Sequence, residues 1–172
     1  MQNIEIKSTL PDRGQVEQRL EALNATPTWV RRQRDRFFEV PKGWLKLREE
    51  DDAEPVLIAY QRSTAASGPR ASHYEIQTLT DAEGWARLLS RVLPDGGVVE
   101  KERTLWSYQH TRVHLDRVKD LGDYLELETV VKGITADEAE AESRGLIDGL
   151  RLDPARFVGV PYLELLRQRH GL

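Results

Sequence analysis

The chain has 172 residues, of which 39% are apolar and 31% charged, and its formal net charge is −4. This length supports one domain, the apolar fraction is too high for a disordered chain, and the negative charge gives no general support for binding nucleic acid. Because it has no cysteine, no run of about 18 apolar residues and no apolar signal region at its start, MQNIEIK, we expect a cytoplasmic protein without disulfides or membrane partners.

Three helix starts carry the N-cap pattern, in which Asp, Ser or Thr is followed three residues later by Glu or Gln. The three pairs are Asp12 with Gln15, Thr80 with Glu83, and Thr135 with Glu138. Apolar residues at helical spacing follow each start, and in the second helix they are Trp85, Leu88, Leu89 and Val92. A short helix at 161–169 is predicted to end the chain.

Eight strand-like runs are interspersed with these helices. They are 3–7, 34–39, 44–49, 56–62, 72–78, 98–106, 112–118 and 124–131. Short polar turns at 40–43 and 119–123 indicate antiparallel hairpins. No repeat or linker divides the sequence, so a single domain of the α+β class is predicted over residues 1–172.

Charged and apolar residues alternate in most of these runs. In NIEIK, at 3–7, Ile4 and Ile6 take one face of a strand while Glu5 and Lys7 take the other. One interpretation is an ordinary antiparallel sheet with its charged face in water. We favour a closed eight-stranded antiparallel β-barrel with flanking helices, whose charged face lines the interior, because an exposed sheet face would favour Thr over Glu, Arg and Lys.

The charged face of the runs contains more bases than acids. The bases are Lys7, Lys46, Arg48, Arg62, Lys101, Arg103 and Arg112, and the acids are Glu5, Asp116, Glu126 and Glu128. In 99–103 both faces are charged, so the sequence does not show which face of that strand turns toward the interior. Excess positive charge enclosed in a barrel is costly without a partner, which predicts a polyanionic ligand. The carboxylates favour a hard divalent cation such as Mg²⁺ or Mn²⁺, so a metal-chelated polyphosphate would satisfy both groups.

These residues resemble the CYTH superfamily, which groups class IV adenylyl cyclases, thiamine triphosphatases and inorganic tripolyphosphatases. The opening signature of that family, Glu-x-Glu-x-Lys, corresponds to Asn3-x-Glu5-x-Lys7. Further matches are RDRFF at 34–38, LKLR at 45–48, LIAYQR at 57–62, EKER at 100–103, TRVHLDRVKDLGDYLELE at 111–128 and PYLELL at 161–166. The resemblance implies a triphosphate tunnel, which is a closed barrel of eight antiparallel strands, and the segment 111–128 is most similar to the cyclase-like branch.

The resemblance also implies roles for individual residues. Glu5, Glu126 and Glu128 would bind Mg²⁺ or Mn²⁺, with Asp116 as a helper. The seven bases would hold phosphate oxygens, and Lys7, Arg62 and Arg112 among them would take part in catalysis. Tyr60 is interpreted either as a substrate contact or as a packing residue, and His114 either as a base or as a lining residue. Asn3 stands where the family usually has a glutamate, which predicts a weaker metal site.

The implied reaction converts ATP to cyclic AMP and pyrophosphate. Hydrolysis of inorganic or organic triphosphates is the first alternative, and a non-catalytic module that binds polyphosphate or nucleotide is the second. In each case the expected partner is a small molecule that contains a triphosphate, such as ATP or polyphosphate. The sequence leaves a homodimer open.

Overall fold

The eight predicted strands form a closed antiparallel barrel. The computed structural model describes residues 2–62 and 70–171, and the side chains of 3–61 and 72–171. The strands are β1 (Gln2–Thr9), β2 (Thr26–Phe38), β3 (Trp44–Glu50), β4 (Val56–Arg62), β5 (Arg70–Thr78), β6 (Asp95–Tyr108), β7 (Thr111–Val118) and β8 (Gly122–Val130). They are hydrogen-bonded in the order β1-β5-β4-β3-β2-β6-β7-β8, and β8 pairs with β1 to close the barrel.

Four helices flank the barrel. They are α1 (Arg13–Ala22), α2 (Ala82–Ser90), α3 (Ala136–Gly149) and α4 (Tyr162–His170), with a short 3₁₀ turn at Pro154–Arg156. The predicted fold class is therefore confirmed. None of the helices in the described ranges is long and apolar enough to cross a membrane.

The largest core lies outside the barrel wall, under α1 and α3. Ile6, on β1, is buried there against inward-facing helix residues such as Leu20 and Leu146. Leu115 and Leu125 of the neighbouring strands complete the same cluster. Because side chains alternate along a strand, packing Ile4 and Ile6 outward turns Glu5 and Lys7 toward the interior.

Strand β2 is much longer than predicted. It begins at Thr26, whereas the sequence pattern indicated a start at residue 34. The segment 26–33, TPTWVRRQ, contains a proline and has no regular alternation of apolar and polar residues, so its sequence does not predict a strand. In the barrel it pairs with β6, which is also long, and the register shifts between Pro27 and Trp29 to accommodate the proline.

Helix α2 begins one residue later than predicted. Its N-cap is Asp81, whose side chain accepts a hydrogen bond of 2.8 Å from the backbone N–H of Gly84, so the predicted pair of Thr80 with Glu83 is wrong. By contrast, Thr135 and Glu138 form the predicted reciprocal capping box of α3. Asp and Thr stand side by side at 80–81, and Asp is the better N-cap of the two.

The position of this cap gives a stability prediction. Asp81→Ala is expected to reduce the free energy of unfolding by about 1 kcal/mol, because Gly84 loses its hydrogen-bond acceptor. Thr80→Ala is the matched control and should leave the free energy of unfolding nearly unchanged. Urea denaturation of both variants makes the comparison, and an equal or larger effect of Thr80→Ala would contradict the observed cap.

Helix α2 also packs on a different face from the one its large apolar residues suggest. Leu89 contacts the outer side of β3 as part of the cluster around Leu47. Trp85, Leu88 and Val92 are exposed by 38%, 55% and 73%. The packed face is instead completed by Ala82 and Ala86, one turn apart, and Leu93 packs in the same cluster after the end of the helix.

The segment before α4 crosses one end of the barrel. Val158 donates a backbone hydrogen bond of 2.8 Å to the carbonyl of Lys7, next to an isolated bridge between Ser8 and Phe157. Tyr162 then enters the interior and packs edge-on against Tyr124 at the start of β8, with ring centres 5.2 Å apart. The first turn of α4 therefore forms part of the interior wall.

Candidate functional site

The barrel encloses a polar cavity of about 230 Å³. Its lining comes from all eight strands and from the start of α4, through Pro161 and Tyr162. The volume is below the range of about 300–1,000 Å³ that is typical of pockets for drug-sized ligands. The cavity therefore suits a compact polar ligand or the polar part of a larger one.

The structure brings together most of the residues predicted to form the site. The cavity lining includes Glu5, Lys7, Lys46, Arg48, Tyr60, Lys101, Arg103, Arg112, Glu126 and Glu128. Asp116 is fully buried behind Arg103 and does not line the cavity. The side chain of Arg62 lies outside the described residues. In β6, Lys101 and Arg103 point inward, so the structure shows which face of this strand lines the cavity.

Two acids of the lining were not predicted, Asp35 on β2 and Glu50 on β3. They raise the described lining to six bases and five acids, so the expected positive excess is largely cancelled within the cavity. The signal for Asp35 was present in RRQRDRFF, where Gln33, Asp35 and Phe37 share one face. It was hidden by the arginines that charge the opposite face of the same strand.

Asp35 is the centre of a buried ion cluster with three cations. Its carboxylate accepts hydrogen bonds from Lys46 Nζ at 2.9 Å, from Lys101 Nζ at 2.9 Å, and from Arg48 Nε and Nη2 at 2.6 and 2.8 Å. Burial acts to raise the pKa of Asp35, but Arg48, Lys101 and Lys46 outweigh it and hold this pKa well below its usual value. Burial, and next the charge of Arg48, lower the pKa of Lys46 to about 7.

A second buried cluster surrounds Arg103. Its guanidinium donates two hydrogen bonds of 2.6 Å to Asp116 and one of 3.0 Å to Glu126. The hydroxyl of Tyr162 donates to the same Asp116 carboxylate at 2.9 Å. Burial acts to raise the pKa of Asp116, and Arg103 reverses that effect and lowers it. Asp116 is thus the ionised partner that fixes the position of Arg103.

The remaining carboxylates face the cavity from β1 and β8. Glu5 and Glu128 are direct cross-strand neighbours, and Glu128 Oε2 lies 3.2 Å from Arg112 Nε. Asn3 donates its side-chain N–H to Glu128 Oε1, while Asn3 Oδ1 is buried and accepts no hydrogen bond from the described residues. His114 lies 3.8 Å from an oxygen of Glu128, and burial lowers its pKa.

Comparison with known proteins identifies the family. Residues 1–156 match a family model described as the CYTH domain. The chain belongs to the CYTH family. The resemblance carried by the sequence motifs is therefore confirmed. A separate search of curated proteins finds no match to this chain.

Solved structures share the architecture of this CYTH domain at low sequence identity. The PH1012 protein of Pyrococcus horikoshii is 22% identical with a TM-score of 0.82, over 95% of this chain and 98% of that chain. A candidate adenylate cyclase of Vibrio parahaemolyticus is 17% identical with a TM-score of 0.77, over 95% and 97% of the two chains. HpAC1 of Hippeastrum, a candidate adenylyl cyclase with a dominant triphosphatase activity, is 16% identical with a TM-score of 0.62, over 98% and 96%. At such low identity these likenesses establish the fold alone.

The oxygen donors of the CYTH cavity fit a hard divalent cation. Among the described residues, no three acidic or histidine side chains converge as a preformed metal cage. Mg²⁺, however, is usually held by one or two carboxylates together with water and substrate phosphates. Glu5 and Glu128 supply such a pair, and Asn3, which donates to Glu128, has a side-chain oxygen without a hydrogen-bond partner among the described residues. The cation that the family resemblance implies is therefore compatible with this donor set.

Tyr60 has a packing role in addition to lining the cavity. Its ring stacks on Trp44, with ring centres 6.4 Å apart and planes inclined by 17°. It belongs to the apolar cluster that includes Phe37 and Val99 at the α4 end of the interior. Tyr60 thus both packs against Trp44 and lines the cavity, and its contact with a ligand stays a prediction.

Proposed function

We propose that this CYTH domain binds a triphosphate chain with a divalent cation inside the barrel and hydrolyses it. The observation that carries the proposal is the convergence of six described basic side chains on one small cavity that also contains the carboxylate pair of Glu5 and Glu128. Phosphoryl transfer depends mainly on positioning and charge stabilisation, which such an arrangement supplies.

The proposed roles follow from the chemistry of each side chain. Arg48 on β3 and Arg112 on β7 both line the cavity, and a guanidinium can hold two phosphate oxygens at once. Lys7, Lys46 and Lys101 act as point charges toward the same phosphate chain. A cation held by Glu5 and Glu128 would lower the pKa of the attacking water and neutralise charge on the phosphate. Arg62, Glu126 and Asp116 are assigned supporting roles.

Hydrolysis is favoured over cyclisation by the size of the cavity. A volume of about 230 Å³ accommodates a triphosphate chain, whereas the nucleoside of a whole nucleotide would extend out of the half-open cavity. The dominant triphosphatase activity of the Hippeastrum protein supports the same choice. Conversion of ATP to cyclic AMP is the second candidate, favoured by aromatic lining residues Trp29 and Tyr74 that could contact a base. Non-catalytic binding is the third, favoured by the neutral Asn3.

Product analysis separates these candidates. The protein is incubated with tripolyphosphate and with ATP, each with Mg²⁺ and with Mn²⁺, and the products are resolved by ion-exchange chromatography. The proposal predicts orthophosphate from tripolyphosphate and no cyclic AMP from ATP. Cyclic AMP with pyrophosphate would establish cyclisation instead, and thermal stabilisation by tripolyphosphate without any turnover would indicate a binding module. If tripolyphosphate is neither hydrolysed nor able to stabilise the protein, the result contradicts a triphosphate site.

The lowered pKa of Lys46 predicts a pH dependence of binding. Lys46 attracts a polyanion only when protonated, so affinity should decline as the pH rises through about 7. The measured quantity is the ratio of two affinities for tripolyphosphate, that of the wild-type protein divided by that of Lys46→Arg. This ratio should fall about tenfold between about pH 6 and pH 8.5. The ratio is used because tripolyphosphate itself gains charge with pH and Arg stays protonated. Calorimetric titration at each pH measures it, and a constant ratio would show that Lys46 does not titrate in this range.

A further inference from the structure

Asp35 engages half of the basic side chains that the structure describes in the cavity. The residue is only 2% exposed, and its carboxylate accepts four hydrogen bonds from Lys46, Arg48 and Lys101. Arg48 holds both of its oxygens with Nε and Nη2, the forked arrangement with which arginine also binds a phosphate group. Asp35 thus makes to these cations the contacts that a phosphate oxygen would make.

We propose that Asp35 is an internal counter-ion that competes with the triphosphate for Lys46, Arg48 and Lys101, and so limits how tightly this part of the cavity holds substrate and product. The inference rests on the proposed function, because it concerns the affinity of the same site. It assigns to a residue of β2 a role that none of the predicted site residues has.

The backbone keeps Asp35 in place as a competitor. Asp35 pairs with Arg48 on β3 and with Val99 on β6, so the strand is hydrogen-bonded on both sides and the carboxylate cannot withdraw with its backbone. A competitor tethered beside its cations acts at a high effective concentration. Only rotation of the Asp35 side chain, or rearrangement of the three cations, would release them to a ligand.

Charge explains why a triphosphate can still bind. When Lys46, Arg48 and Lys101 are all protonated, they and the ionised Asp35 carry a net charge of +2, and the cations carry +3 when the carboxylate is neutralised. A triphosphate chain brings several negative charges and can outcompete one carboxylate. Hydrolysis of tripolyphosphate gives pyrophosphate and orthophosphate, each with fewer charges than the substrate, and the return of Asp35 to its cations favours their release.

Asp35→Asn tests the proposal with a change of charge and almost none of shape. Binding of tripolyphosphate and of orthophosphate is measured by calorimetry without divalent cation, so that no turnover occurs. The dissociation constant of tripolyphosphate is expected to fall about tenfold or more, because its competitor is lost. The melting temperature without ligand is expected to fall, because three buried cations lose their partner. Tighter binding by a less stable protein is an outcome that a purely structural role would not produce.

Glu50→Gln is the matched control. Glu50 lines the same cavity and its loss removes the same charge, but it accepts hydrogen bonds from Arg31 at 2.8 Å and Gln33 at 2.5 Å, and among the described residues no hydrogen bond or ion pair joins it to the three cations. The proposal predicts a clearly smaller gain in affinity for Glu50→Gln than for Asp35→Asn. Equal gains would show that only the net charge of the cavity matters and would overturn the proposal.

The remaining outcomes are also decisive. If the wild-type protein binds tripolyphosphate and Asp35→Asn binds it equally or more weakly, Asp35 is not a competitor. If the wild-type protein shows no binding, the proposed function fails before Asp35 is considered. Should Asp35→Asn not fold, the comparison is made between Lys46→Met and the Lys46→Met, Asp35→Asn double variant, which leaves two rather than three cations without a partner. Tighter binding by the double variant supports the proposal, and equal or weaker binding overturns it.

Discussion

Replacing Arg103 with methionine is expected to reduce the free energy of unfolding by about 3–5 kcal/mol, the cost of removing one partner from a buried ion pair. Arg103 is 6% exposed and donates to both Asp116 and Glu126. Asp116 is 0% exposed, and without Arg103 the hydroxyl of Tyr162 would be its one remaining hydrogen-bond donor among the described residues. Chemical denaturation of the wild-type protein and of Arg103→Met measures the difference.

The pH dependence of this loss identifies its cause. In the wild-type protein Asp116 has a lowered pKa, so its ionised form stabilises the fold above its unfolded pKa and this contribution is lost as the pH falls through the folded pKa. In Arg103→Met the largest effect that opposes burial is lost, so the pKa of Asp116 rises; the penalty is present at high pH and shrinks as protonation removes the charge. The destabilisation should therefore be larger at about pH 8 than at about pH 5.

Arg112→Met is the matched control for Arg103→Met. The side chain of Arg112 also lines the cavity and pairs with a glutamate, but it is 41% exposed, so its removal should cost at most about 1 kcal/mol. Equal destabilisation by the two variants, or a loss for Arg103→Met that does not depend on pH, would contradict a buried ion cluster as the source of the effect.

Replacing Glu5 with glutamine is expected to lower metal-dependent phosphate release from tripolyphosphate by about 100-fold, since even groups that only support metal ligands are worth about 10–100-fold. Glu5 faces the cavity directly across from Glu128, and Gln keeps its shape while removing its charge. The loss should shrink as the concentration of Mn²⁺ rises, because weakened cation binding can be overcome by mass action. Steady-state phosphate release at several Mn²⁺ concentrations measures both effects.

Glu49→Gln provides the control for this experiment. Glu49 lies on the outer side of β3, where it pairs with Arg34 at 3.2 Å and is 44% exposed in its side chain. Its substitution makes the same chemical change away from the cavity and should leave turnover unchanged. Wild-type turnover in Glu5→Gln would remove this carboxylate from the mechanism.

The alternation of side chains made most of the barrel and its lining predictable. In β1, β3 and β8 one face is apolar and the other charged, and only one register can bury Ile6 or Leu47 against a helix. That register turns Lys7 and Lys46 inward without further information. The physical basis is the period of two residues, which lets no side chain change face unless the whole strand does.

Strand β2 shows where this reasoning fails. Arg32, Arg34 and Arg36 charge the outer face, while polar Gln33 and Asp35 occupy the inner one, so both faces of the strand are polar. Its outer charges are stabilised by neighbours on other strands, as in the pair of Arg34 with Glu49. Such partners are distant in sequence, so the pattern of β2 alone could not show which of its faces turns toward the cavity.

The division of the acids into partners for arginine and candidate ligands for metal could not be predicted either. Asp116 shares a face with His114 in β7 and has the residue type of a ligand. Its contacts with Arg103 and Tyr162 depend on the register between β6 and β7 and on the entry of α4 into the barrel. Those are tertiary features, and they place Asp116 behind the lining rather than in it.

A crystal structure of the protein with Mn²⁺ and tripolyphosphate tests the central claim most directly. Anomalous scattering locates Mn²⁺ without reference to the protein. We predict Mn²⁺ bound to oxygens of Glu5 and Glu128, with the phosphate chain inside the barrel on Arg48 and Arg112. Mn²⁺ and tripolyphosphate bound only to the charged outer surface around Glu49 and Glu100, with the cavity unchanged, would contradict the account.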